Sequence, residues 1–217
     1  GSMGADFIDY IVGDKNLIPV DKTHFYSEKI IYLPHCYQPQ NDKMKVSQEI
    51  QSRKELGLPE DSFVFCAINN TYKITPEVFN IWIKLLEKVE KSVLWLLEIK
   101  ESSKNNLIKE ANTRGIKKER LVFAKRTSHD KYLAQFKYAD LYLDTFIYNA
   151  GATASNALWM GVPILTMAGN SYSARMANSL LNSLGLEELI THSKQDYEDL
   201  ALKLSTDKER LNNIKVK

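Results

Sequence analysis

From Asp61 onward, apolar runs of strand length alternate with longer stretches whose apolar positions recur every three or four residues. A strand covered on both faces is apolar throughout, and the helix covering it is apolar along one stripe, so this alternation points to successive strand-helix units on a parallel sheet. The pattern predicts strands at Phe63–Ile68, Val93–Leu97, Leu121–Phe123, Leu141–Leu143 and Pro163–Leu165. It predicts helices from Thr75 to Val89, Ser102 to Arg114, Ser128 to Tyr138, Thr153 to Met160 and Ser171 to Leu184. The first helix is the best marked. Thr75 is an N-cap, Pro76 suits the first helical position, and Val78, Phe79, Trp82, Leu85, Leu86 and Val89 make the apolar stripe. Ser193 to Lys217 reads as one or two amphipathic helices, with Tyr197, Leu200, Leu204 and Leu211 inward. The fold class expected is α/β with a parallel sheet.

Residues 7 to 45 follow another pattern, short extended pieces interrupted by Pro19, Pro34 and Pro39. The strand-like run Asp6–Val12 needs partners that can lie upstream, so residues 4–45 read as the tail of a preceding domain and a linker, with 46–217 as the main domain. Gly1-Ser2-Met3 reads as a vector remnant.

Charge narrows the partners. Twenty-nine Lys and Arg against 27 Asp and Glu leave a net +2, too little for the long-range field that nucleic acid or an anionic membrane demands. Any bound anion must be held locally. Cys36 and Cys66 stand far apart with no further ligand residues at metal spacing, which suits reduced thiols and a cytoplasmic location. No apolar run approaches the ~18 to 20 residues of a membrane span.

Ligands of a parallel sheet sit at the carboxyl ends of the strands, where helix N-termini present free N–H groups. Four loops fall there: 69–75, 124–130, 144–153 and 166–173. In the first, Lys73 can be a solvated loop side chain or can point its ammonium at a phosphate. In the third, small residues through Gly151, Ala152 and Thr153 permit close backbone approach, and Asp144 can be a cap or an acceptor for ribose hydroxyls. Tyr132 can stack on a base or be an ordinary helix tyrosine. His129 and Asp130 are adjacent on a helix and do not face each other, so they make no acid-base pair.

Several stretches together resemble the catalytic region of the protein O-GlcNAc transferase and SPINDLY family of glycosyltransferases. They are Ile8–Ile11, Tyr26–Lys29 with Leu33-Pro34-His35, Tyr72-Lys73-Ile74, Ser92–Leu97, and Ala139-Asp140 with Leu143-Asp144-Thr145. Ala157-Leu158-Trp159 with Gly161-Val162-Pro163, and Gly185-Leu186 with Glu188-Leu189-Ile190, complete a match that spans nearly the whole chain in order. The resemblance implies the Rossmann-like C-terminal lobe of a two-lobed GT-B glycosyltransferase, with the last pieces of the N-terminal lobe attached. It implies metal-independent, inverting transfer of N-acetylglucosamine from a UDP donor to Ser or Thr of proteins, with no cofactor and the acceptor engaged through regions upstream.

By position, Lys73 matches the family's essential lysine, which offsets charge on the departing diphosphate. Asn70 stands where the family commonly has a phosphate-binding glutamine. Thr127 and His129 fall in the stretch that contacts the base, Tyr132 falls where a histidine usually stacks, and Asp144 matches the ribose-binding acid. Where the family usually has His-Thr-Thr at the diphosphate, this chain has Gly151-Ala152-Thr153 and keeps only the last hydroxyl. That departure leaves open a different donor, such as GDP-fucose or another UDP sugar, or a degenerate lobe that binds without catalysing. The isolated chain is expected to bind a nucleoside diphosphate weakly and to transfer nothing by itself.

Overall fold

Pro19 and the other prolines leave the described residues among the first 60 with two short strands, β1 (Tyr10–Gly13) and β2 (Lys29–Tyr32), which pair in parallel as a separate ribbon. The strands and helices that follow, in a computed structural model describing residues 1–49 and 51–217, alternate regularly. They are β3 (Phe63–Ala67), α1 (Pro76–Lys88), β4 (Ser92–Leu97), α2 (Glu101–Asn112), β5 (Leu121–Ala124) and α3 (His129–Gln135). After these come β6 (Leu141–Leu143), α4 (Ala152–Trp159), β7 (Ile164–Met167), α5 (Met176–Ser183), β8 (Ile190–Thr191), α6 (Lys194–Thr206) and α7 (Lys208–Lys215).

The six strands from β3 to β8 form one parallel sheet in the order β5-β4-β3-β6-β7-β8. The chain winds outward from β3 in one direction, then crosses back to β6 and winds outward in the other. This is the doubly wound Rossmann order, and it places a crevice where the loops leaving β3 and β6 diverge.

Alternate residues of each strand feed two cores. Phe65, Ala67, Leu94 and Leu96 pack on the face covered by α1, α2 and α6, around Trp82 and Tyr197. Val64, Cys66, Val93, Trp95 and Tyr142 pack on the other, against Phe136 and the alanines of α4. Cys66 is a free thiol, and burial pushes its pKa up to about 12, so it stays protonated.

Strand placement follows the apolar runs closely, and Thr75 caps α1 by accepting from the Val78 N–H at 3.3 Å. Three points that the pattern missed or left open have local causes. The helix expected from Ser171 begins only at Met176, because Arg175 leaves helical geometry (φ −124°, ψ 7°). Its guanidinium turns instead to the carbonyls of Leu17 at 2.8 Å and Gly169 at 3.2 Å. The C-terminal segment is two helices, broken at Asp207 (φ −100°, ψ 85°), whose carboxylate caps α7 through the Arg210 N–H. Strand β8 is two residues long, too short for any periodicity to register.

Candidate functional site

A hollow of about 340 Å³ opens at the carboxyl ends of β3, β4 and β5, beside the crossover to β6. Five residues singled out from the sequence line it: Asn70, Thr127, His129, Tyr132 and Thr153. They come from three loops or helix starts, so only the fold brings them together. Tyr132 forms the inner wall. Its ring meets Phe136 edge-on at 5.0 Å and lies 6.0 Å from the His129 ring, tilted by 31°. Burial raises the pKa of its hydroxyl, outweighing the opposing effect of the nearby Asn156 and Thr153 side chains, so it remains a neutral phenol.

Two charged lining residues were not among the candidates named from the sequence. Lys125 and Arg126 follow β5 directly, line the hollow, and are exposed without an ion-pair partner among the described residues. Two consecutive cations at the end of a buried strand were the signal available for them. Among the described lining residues there is no carboxylate, so the wall is rich in donors and positive charge despite the chain's near-neutral balance.

Lys73 stands beside this hollow, not in its wall. It closes the turn after β3 three residues beyond Asn70 and is 9% exposed. Its ammonium donates to the Asn149 carbonyl at 2.9 Å and lies 3.8 Å from the centre of the Tyr148 ring, a cation-π contact. Burial lowers its pKa, and the Asp144 charge opposes that shift. Two buried amide atoms on these same loops, Asn69 Nδ2 and Asn149 Oδ1, lack a hydrogen-bond partner among the described residues. A buried polar group left without any partner costs about 1 to 3 kcal/mol.

Asp144 corrects the expectation of a ribose acceptor. Its side chain is fully buried, and both oxygens are engaged from within. Oδ1 accepts from the N–H groups of Thr145 at 2.8 Å and Ala150 at 2.7 Å, and Oδ2 accepts from the Thr166 hydroxyl at 2.7 Å. Burial raises its pKa to about 7 against those hydrogen bonds and the nearby Lys73. The carboxylate lies under the loop and anchors it, because an ionisable group at the end of a central strand is covered by everything that follows.

Gly151 and Ala152 also fall outside the hollow's lining. Gly151 is the N-cap of α4 and is buried, but the chain itself uses the space. A Cβ there would lie 2.5 Å from Met176 Cε and 3.1 Å from the Tyr37 hydroxyl. The linker is laid across this helix start: Tyr37 donates to Gln38 Oε1 at 3.0 Å, and Ser155 of α4 donates to Gln40 Oε1 at 2.6 Å. Ala152 is exposed, and Thr153 alone of the three faces the hollow.

A doubly wound sheet with a cationic hollow at its crossover fits many nucleotide-binding proteins, and comparison with known proteins narrows the field. The chain is 34% identical over 97% of its length to a probable UDP-N-acetylglucosamine–peptide N-acetylglucosaminyltransferase of Arabidopsis thaliana, spanning 22% of that protein. It is 37% identical over 77% of its length to the Caenorhabditis elegans UDP-N-acetylglucosamine–peptide N-acetylglucosaminyltransferase, spanning 15% of it. The chain thus covers about a fifth of these relatives. A mutant of the Thermobaculum terrenum O-GlcNAc transferase superposes with a TM-score of 0.82 at 30% identity, over 96% of this chain and 39% of that one. The model of glycosyl transferase family 41 matches residues 38–217, from the linker across α4 to the last helix. With the whole doubly wound lobe inside that match, the chain belongs to glycosyl transferase family 41.

Proposed function

We propose that this chain is the donor-binding lobe of an enzyme that transfers N-acetylglucosamine from UDP-N-acetylglucosamine to Ser or Thr of proteins. The observation that carries the reading is the hollow at the crossover. Its wall holds cations and hydrogen-bond donors without a described carboxylate, it has an aromatic ring at one end, and a buried lysine adjoins it. A uracil on Tyr132 and His129 would place a diphosphate toward Asn70, Thr153 and Lys73. There the N-terminal amides of α4 and the lysine ammonium oppose the negative charge.

On this reading the ammonium supplies the charge that a metal ion supplies in other transferases, and no metal or organic cofactor takes part. Direct displacement by an acceptor hydroxyl requires a second surface to hold the acceptor. Residues 4–45 are assigned to the edge of that second lobe and its linker. Two parallel strands seldom stand alone, and Tyr10, Val12 and Ile31 leave their apolar side chains exposed on the ribbon. The acceptor protein and the cellular location belong to the same proposal. Among the described residues no helix is long and apolar enough to cross a membrane.

Thermal melts of the chain with UDP, UDP-N-acetylglucosamine and GDP test the reading, because a ligand of the folded state raises the melting temperature by mass action. UDP and its sugar should stabilise, GDP should do so much less, and EDTA should leave the UDP effect unchanged. Stabilisation by GDP alone, or by none of the three, contradicts the assignment.

A further inference from the structure

Resting on the donor-lobe reading, we propose that Asp144 is a positioning residue for Lys73. Its buried carboxylate pins the loop 144–150 so that the Asn149 carbonyl and the Tyr148 ring hold the lysine ammonium beside the hollow.

The hydrogen bonds form a closed frame. Asp144 Oδ1 accepts at both ends of the loop, from the N–H of Thr145 and from that of Ala150, and so draws residues 145 and 150 to one point. Inside that span the Thr145 hydroxyl donates to the Tyr148 carbonyl at 2.6 Å, and Asn149 Nδ2 donates to the Thr145 carbonyl at 2.6 Å. These bonds fix the two groups that touch Lys73, the Asn149 carbonyl and the Tyr148 ring. From below, Thr166 on β7 donates to Oδ2, and the Tyr197 hydroxyl on α6 donates to the Asp144 carbonyl at 3.0 Å. The carboxylate is therefore bound to the sheet on one side and to the loop on the other.

Charge reinforces the geometry. Lys73 sits in a site where burial disfavours its charged form, and the Asp144 charge acts with the Asn149 carbonyl and the Tyr148 ring to favour it. No ligand contact is needed for any of this. Asp144 is shut off from the hollow, and its effect on a bound diphosphate passes through the lysine.

A double-mutant cycle with two ligands tests the assignment. UDP and uridine are titrated by calorimetry into the unaltered chain, Asp144→Asn, Lys73→Met and the double variant. Lys73→Met should weaken UDP roughly tenfold or more and leave uridine unchanged, since a charged donor to a phosphate is lost and the base end is untouched. Asp144→Asn should reproduce that selective loss, and the double variant should be no worse than Lys73→Met alone.

A merely structural residue would instead lower the melting temperature and weaken both ligands alike. Should Asp144→Asn fail to fold, Thr166→Val removes one partner of the carboxylate at nearly constant shape, and should give a smaller loss, again confined to UDP. UDP bound equally well by the unaltered chain and the folded Asp144→Asn or Thr166→Val variant overturns the assignment alone, as do losses that multiply in the double variant. An unaltered chain that binds no UDP overturns the donor-lobe reading first, and this assignment with it.

Discussion

Asp144 ionises in the fold only against burial, which lifts its pKa to about 7 from a value near 3.9 in an unfolded chain. A carboxyl whose folded pKa is raised binds its proton more tightly in the fold. Its contribution to stability is therefore fully present below about pH 4, declines as pH rises toward 7, and is flat above. Denaturant melts at intervals from pH 4 to 8 should show that decline in the unaltered chain and not in Asp144→Asn. Parallel pH profiles for the two would contradict it. The sequence showed that an acid stands at the end of a central strand, but not which way it faces, and a strand end can serve either the ligand or the loop above it. Asn70, Thr127, His129, Tyr132 and Thr153 line one hollow because their loops leave neighbouring strand ends, a position the sequence pattern shows, whereas Lys73 shares such a loop but not the lining. Lys125 and Arg126 lie in one of the four loops, but their consecutive charges resemble any solvated turn until the hollow places both in one wall.

Among the elements, α1 carries the most inference for the least sequence. Its cap, its proline and its stripe all point the same way, and the helix begins at the residue they indicate. Thr75→Ala should cost about 1 kcal/mol and lower the melting temperature by roughly 2 to 4 °C, measured by calorimetry without ligand. An unchanged melting temperature would show that the cap contributes nothing. The stripe reaches further than a helix needs. Trp82, fully buried on α1, donates to the Tyr197 hydroxyl at 3.5 Å, and that hydroxyl donates to the Asp144 carbonyl. Helices on one face of the sheet are thereby tied to the end of β6. Elements without such internal agreement were harder to place. The start of α5 depends on where the Arg175 side chain finds carbonyls, one of them at Leu17 far away in the chain, and no local pattern carries that information.

Across the whole molecule, Asp14 ties the N-terminal segment together and joins it to the Rossmann-like lobe through Ser179. Its carboxylate accepts from the N–H groups of Asn16, Leu17 and Tyr37 and from the Ser179 hydroxyl of α5. Asp14→Ala leaves three N–H groups and a hydroxyl unmatched, so residues 13–45 should be cleaved faster by protease while the sheet resists. Equal cleavage rates would place the attachment elsewhere. Because residues 37–40 cross the start of α4, where Tyr37 borders Gly151, this attachment lies on the helix whose Thr153 lines the hollow. Sequence pattern could mark the linker by its prolines but not where it lies, since its contacts join residues more than a hundred positions apart.

All of these arrangements converge on one claim, that a nucleoside diphosphate occupies the hollow at the crossover. A crystal structure of the chain with UDP measures this directly. The uracil should lie against His129 and Tyr132, with the diphosphate between Thr153 and the Lys73 ammonium. UDP bound at another face, or with its diphosphate turned away from Lys73, would contradict it.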